Sequence, residues 1–524
     1  MTLMLKPRRA AILRHGDPVA LPSTEELLAA GGDTRIAIDP RTGANRYGCP
    51  AFPDPAIAAF GSSTASIVSA DGFAAADRLR RRLIAAAERE PPSFTYAREL
   101  DRLRHELIAL CGLSDLAGLA TVFAASGTDL HLFAARFAGG ADPLAIMVEA
   151  TETGSFVPAA LAGRHFNTCT AFGDEVVAGD AIAGDTIEVA SVCSRAADGT
   201  PRPAALVDAE IVALTTRAVA MGRRVLLTLV DVSKTGLIAP SPTRALALRD
   251  RFPGAVELLV DACQFRLAPA SLRAYLEHGF MVALTGSKFL AGPAFSGALL
   301  VPAATARRLR DVALTPALRL YSARAEWPRD WSAAGSLGDG VNYGLLLRWE
   351  AALTELRQFR AVPEGEIAAI LGAFARAVAA RLAGDPAFAP LEVPALAGRR
   401  LPAAPGWDHI QTIFPFLLRR VRDDGSAALL ARAETERVFR LLDSDAGGAI
   451  GLAASDPARA IAALRCQLGQ PVACGSRLGQ PLSALRLCAS AKLVVEAAAH
   501  GVDGVIRRAM AVLDKTALLA AQAS

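Results

Sequence analysis

The sequence predicts an α/β fold: a large domain with a mainly parallel sheet flanked by helices, followed by a smaller C-terminal α+β domain. Three observations predict it. Short, continuously apolar runs ("ATVFAAS", "LAIMVEA", "RVLLTLVDV", "VELLVDA" and "FMVALTGS") have strand length. Amphipathic segments such as "PTRALALRDRF" and "PASLRAYLEHGF" separate them, and apolar strands joined by helices belong to a parallel sheet covered on both faces. Beyond about residue 365, strand and helix still mix but at a different spacing.

Taken in order, residues 1–60 are rich in turn formers ("GGDTRIAIDPRTGANRYGCPAFPDP") and read as an extended N-terminal arm. Its start, "MTLMLKPRRAAILRHGDP", breaks at Gly16 and Pro18 and lacks an apolar stretch with a small-residue cleavage site, so no signal peptide is expected. The large domain is expected over 61–345. It opens with two helices, "GFAAADRLRRRLIAAAERE" and "YARELDRLRHELIALCGL", whose apolar residues recur every three or four positions. Residues 346–524 are expected to hold an interdomain helix, from "NYGLLLRWEAALTELRQFRAV", and the small domain. There "HIQTIFPFLLRRV" and "LSALRLCAS" read as strands, and "AALLARAETERVFRLLDS" and "PARAIAALRCQL" as helices.

Composition narrows the function. A 524-residue chain with 52% hydrophobic residues can bury a large core, and a net charge of +4 without long runs of one sign argues against nucleic acid or an anionic membrane as partner. No uninterrupted apolar run reaches about 18 residues, so no membrane span is expected. The 8 cysteines are scattered, mostly in apolar segments, without a CxxC pair. That pattern predicts reduced thiols in a cytoplasmic protein. The histidines show no ligand spacing such as HExxH, so no metal is expected.

Polar residues at the carboxyl ends of such strands mark a ligand site. Ser126, Gly127 and Thr128 follow one strand and open a helix, where free amides and hydroxyls suit a phosphate; the alternative is an ordinary N-cap. Asp261 ends an apolar strand, and a carboxylate there needs a partner. Lys288 lies between an apolar run and a Gly/Pro-rich loop. Arginine does nearly all the basic work in this chain: the lysines are Lys6, Lys234, Lys288, Lys492 and Lys515. A lysine at 288 points to chemistry that needs a primary amine. Together these groups are what pyridoxal phosphate requires: an amine to join its aldehyde, a carboxylate for its pyridine nitrogen, and hydroxyls and amides for its phosphate.

The order of motifs resembles the class V aminotransferase family of fold-type I pyridoxal-phosphate enzymes, over roughly residues 60–510. "SGTD" resembles its phosphate-binding turn, and "VDVSKTGLIAP" its S-x-T-G segment, which implies Ser233 at the ring's hydroxyl side. "VDACQ" is similar to V-D-A-x-Q, implying Asp261 at the pyridine nitrogen and Gln264 near the ring oxygen. "TGSKFLAGPAFSGAL" resembles the segment that carries the cofactor lysine, implying Lys288 in that role with Thr285 and Ser287 on the phosphate. "GDGVNYGLLLRWEAAL" resembles the segment that reaches a neighbouring subunit's phosphate, implying a homodimer. "ALRLCAS" is similar to the strand that supplies the substrate-carboxylate arginine, implying Arg486; the alternative is a surface arginine.

The chain also departs from the family. Ser287 stands where a histidine often precedes the lysine. "TETGSFVP" lacks the histidine that stacks on the ring, leaving Glu152, Thr153 or Phe156 for that face. The usual threonine of the subunit-spanning segment is replaced, with Asp339 or Gly340 nearby. "GSSTAS", 61–66, reads as a helix-starting turn, with a place in the substrate site as the alternative. The resemblance implies an enzyme acting on an amino acid, an aminotransferase first. A lyase, either a cysteine desulfurase using Cys474 in a loop or a decarboxylase, and a non-catalytic cofactor-binding protein are the alternatives.

Overall fold

The computed structural model describes residues 21–523 apart from 141, 185, 400, 402–405 and 423. The extreme N-terminal segment on which the signal-peptide expectation rests lies outside the described residues. The strands are β1 (Ala58–Phe60), β2 (Ala120–Ala124), β3 (Leu144–Val148), β4 (Glu188–Val192), β5 (Val225–Asp231), β6 (Ile238–Ala239) and β7 (Val256–Ala262). They continue with β8 (Met281–Thr285), β9 (Gly297–Val301), β10 (Phe388–Pro390), β11 (Ile413–Val421), β12 (Ala427–Leu429), β13 (Cys466–Arg477) and β14 (Gln480–Cys488).

The large sheet has the order β2-β9-β8-β7-β5-β3-β4, with β6 paired to β5. Its neighbours β4, β3, β5, β7 and β8 are mutually parallel, whereas β9 runs antiparallel between β8 and β2. Strands β2, β3, β5, β8 and β9 are buried at every position. The apolar runs have this cause: helices cover both faces, so neither face can alternate with polar residues. All five strands read from the sequence are present. β9, hidden in the Gly-rich stretch after Lys288, was not read as one.

A second sheet, β1-β13-β14-β11-β10 with β12 on β11, is built mostly from the C-terminal part but takes β1 from the N-terminal arm, parallel to β13. Here two helical expectations are corrected. In "AALLARAETERVFRLLDS" the first residues form β12, and the helix covers only Arg432–Arg440. In "PARAIAALRCQL" the helix is confined to Arg459–Ala463, because Cys466 to Leu468 enter β13 and pair with β1. In both, alanine and leucine suit helix and strand alike, and sheet partners decide. The long helix Tyr343–Ala361 is nearly all buried and packs against Ala70–Ala87 and Pro92–Leu110.

Candidate active site

The carboxyl ends of β2, β3, β5, β7 and β8 face a cavity of about 440 Å³, closed from the other side by β13, β14 and the arm. Every site residue read from the sequence lines it: Ser126, Gly127, Thr128, Ser233, Asp261, Gln264, Thr285, Ser287, Lys288 and Arg486. Asp261 and Lys288 come from adjacent strands, with Asp261 opposite Ala283 in the parallel register and Lys288 three residues past β8.

Asp261 has a partner that sequence reasoning missed. His131, on the helix Gly127–Phe137, places Nε2 at 3.4 Å from Asp261 Oδ2. Its Nδ1 lies 2.7 Å from the Gly127 carbonyl, an acceptor only, so Nδ1 carries a proton. Burial disfavours a charged imidazole, but the Asp261 carboxylate outweighs it and the His131 pKa is raised. Burial likewise works against the Asp261 carboxylate. The His131 charge, helped by Lys288 and by the Cys263 thiol, holds the acid well below the usual range, and the Cys263 N–H donates to Oδ1 at 3.2 Å. Asp261 therefore stays ionised in an apolar strand end. The only sequence signal was a histidine one turn into the helix; its partner lies 130 residues on.

At the phosphate-type turn both readings coexist. The Ser126 hydroxyl donates to Asp129 Oδ2 at 2.5 Å and accepts from the Thr128 and Asp129 amides, a capping box. Gly127, the first helical residue, has an N–H with no intrahelical acceptor. A Cβ at Gly127 would lie 2.7 Å from Cys263 Sγ, so only glycine lets the backbone approach this closely. Thr285 Oγ1 donates to the Cys263 carbonyl at 2.6 Å, and Ser287 Oγ to Thr285 Oγ1 at 3.3 Å. The arm adds Arg35, also missed from sequence. Its Nη1 donates to Thr128 Oγ1 at 3.2 Å while Asp33 holds the rest of the guanidinium, and its plane packs on Phe156 and Phe295, 4.9 and 5.1 Å away.

Other expectations are sharpened or corrected. Ser233 Oγ donates to Glu152 at 2.6 Å, and Glu152 also accepts from Arg195 Nε at 2.7 Å and Thr235 Oγ1 at 2.7 Å. Those bonds withdraw Glu152 from a role over a ligand's face. The Gln264 amide donates to the Ser63 carbonyl at 2.9 Å. "GSSTAS" does not start a helix: the helix begins at Ala70, capped by Ser69, while Ser63 and Thr64 line the cavity. Ser66 Oγ donates to the Lys288 carbonyl at 3.0 Å. Arg486 is no surface arginine; it is 1% exposed, and burial lowers its pKa to about 10. It donates to Thr64 Oγ1 at 2.9 Å, to the Lys234 carbonyl at 3.2 Å and to the Gln470 carbonyl, while its Nε has no partner among the described residues. Asp339 is not in the cavity wall, and Asn342 caps the helix Tyr343–Ala361 and donates to the Gly31 carbonyl at 3.0 Å. Cys474 lies within β13, not in a loop; it is buried, and its thiol is pushed up to about 11.

Neither a protein-family model nor a curated protein sequence matches the chain. Solved structures do. A C-DES mutant with glycine covalently linked to its PLP cofactor is 15% identical at a TM-score of 0.50, covering 86% of this chain and 96% of its own. The chain has the fold-type I fold. Weaker likenesses include a NifS-like protein (11% identity, TM-score 0.48, 86% of this chain and 98% of that one). Another is Oryza sativa TDC with PLP and tryptamine (14%, 0.45, 87% and 83%). Within the fold-type I frame, the strand ends that carry Asp261 and Lys288 border the cavity.

Proposed function

We propose that the chain is a pyridoxal-phosphate-dependent enzyme acting on an amino acid, and that it is an aminotransferase. The carrying observation is the pairing in one cavity of the Lys288 amine with an Asp261 carboxylate kept ionised by His131. The residues fit the cofactor. The cavity is of ordinary small-ligand size, Asp261 carries a negative charge held by His131, and a Cβ at Gly127 would fill the close approach to Cys263 Sγ. The Gly127 amide, Thr128, Thr285 and Ser287 make an anion-accepting corner at a helix N-terminus. When bound, the cofactor supplies an aldehyde and an electron-accepting ring for reactions at the substrate Cα.

The protein's own residues do the rest. Asp261 holds a proton at the heteroaromatic nitrogen, and His131 keeps Asp261 charged. Lys288 moves the proton at Cα as base and then as acid. Arg486 orients the substrate carboxylate so that the C–H bond to be broken keeps one orientation. A guanidinium that stabilises the charged carboxylate opposes its loss as CO₂, which favours proton transfer over decarboxylation. The desulfurase alternative needs a nucleophilic thiolate, and the buried Cys474, with its raised pKa, does not supply one.

The test is reconstitution of the purified protein with pyridoxal phosphate. We expect a visible band at roughly 420 nm that is absent in Lys288→Ala, with turnover lower by about 10³-fold or more. A wild-type protein that stays colourless, or a Lys288→Ala variant with an unchanged band, contradicts the proposal. Transfer of the amino group to a 2-oxo acid distinguishes the aminotransferase from a lyase.

A further inference from the structure

Two of the few lysines in this chain line the same cavity. Lys234 sits on the turn after β5. Its backbone N–H donates to the Glu152 carbonyl at 2.8 Å. Its ammonium, with three donors, makes one hydrogen bond, to the Ala150 carbonyl at 3.1 Å. Arg486 adjoins it, donating Nη1 to the Lys234 carbonyl at 3.2 Å and leaving its buried Nε unpaired. Among the described residues neither cation has a carboxylate at ion-pair distance. The acids on this wall are already spent: Glu152 is paired with Arg195, and Asp261 with His131.

Arg486 is buried and Lys234 half-buried, and cations withdrawn from water without counter-charge are costly. Burial, with repulsion from Arg486 and Lys288 and only partial relief from Glu152 and Asp261, brings the Lys234 pKa down to about 8. The anion-accepting corner of Ser126–Thr128, Thr285 and Ser287 belongs to another group of elements, so a phosphate there leaves Lys234 and Arg486 unanswered. The substrate of a monocarboxylic enzyme answers one of them.

We propose that the cavity takes an amino acid with a second carboxylate, Arg486 holding one carboxylate and Lys234 the other. This rests on the amino-acid reading above and names its substrate class. Lys234 is then the specificity-determining residue, because a neutral substrate side chain would cover its half-buried ammonium without pairing it.

The test separates this proposal from the cofactor reading by using ligands that lack an amine. Purified protein, with and without added pyridoxal phosphate, is titrated calorimetrically with glutarate and with butyrate. We expect glutarate to bind at least about tenfold more tightly, a ratio equivalent to 1.4 kcal/mol. In Lys234→Met the ratio should collapse towards one with the visible band intact, and Lys234→Arg should restore most of it. Equal affinities in the wild type, or an unchanged ratio in Lys234→Met, overturn the second-carboxylate site even if the cofactor band is present. A protein that takes up no cofactor overturns the function proposed above, while the glutarate-to-butyrate ratio still judges this site.

Discussion

The side of the cavity made by β7, the helix Gly127–Phe137 and the arm holds two ion pairs: Asp261 faces His131, and Asp33 grips Arg35. On the side made by the turn after β5 and by β14, Lys234 and Arg486 have no carboxylate at ion-pair distance among the described residues. Both sides line the same cavity, yet one is electrostatically closed and the other is open. A closed set of charges keeps its geometry whatever occupies the cavity, which suits a group that stays bound. An open set is completed only by a ligand, which suits a group that comes and goes. The paired side should therefore be intolerant of substitution, and the unpaired side tolerant of it in stability but not in binding.

The largest effect expected from breaking this contrast is Asp261→Asn. It leaves the buried His131 without its counter-charge and should cost about 3 kcal/mol in a denaturant titration, along with weaker cofactor retention measured by dialysis. A loss no larger than that of Lys234→Met would show that the paired side is no more rigid than the other. Next is Gly127→Ala. Its Cβ would meet Cys263 Sγ at 2.7 Å, and the forced shift at the helix start should cost about 2 kcal/mol. A structure of that variant with Cys263 unmoved would contradict the close-approach argument.

The smallest effects are slopes of stability against pH, opposite in sign for Asp129 and Lys234. Burial lifts Asp129, the acid of the capping box, to about 7, above its value in an unfolded chain. Its contribution is fully present below the unfolded value, near about 4, and is lost as pH rises through about 7. Lys234, lowered to about 8, gives up its proton in the folded state first. Stability then rises with pH between about 8 and the unfolded lysine value near about 10.4. Thermal melts at several pH values should lose the first component in Asp129→Asn and the second in Lys234→Met. If each variant kept the wild-type slope, neither residue would titrate in the direction its burial sets.

Much of the site was legible because its parts are strand ends. Apolar strands are conspicuous in sequence, and the polar residue that ends each one is conspicuous by contrast, as with Asp261, Ser126 and the "TGSK" turn. His131, Arg35 and the pairing state of Lys234 were not legible. Each depends on a contact between distant segments, and a histidine in a helix or an arginine in a turn-rich arm carries no local mark of what it will face. The strands β12 and the start of β13 were missed for a related reason: alanine and leucine leave the backbone undecided until a neighbouring strand accepts its hydrogen bonds.

By itself, then, the sequence determined five of the apolar strands of the large sheet and the rare amines and acids at their ends, because burial on two faces and the need for a primary amine restrict which residue types can stand there. Only the tertiary structure decided which charges meet. Pairing is a matter of a few ångströms across elements far apart in the chain, and it is that distance, not residue type, that makes Asp261 a settled anion and leaves Lys234 and Arg486 waiting for one.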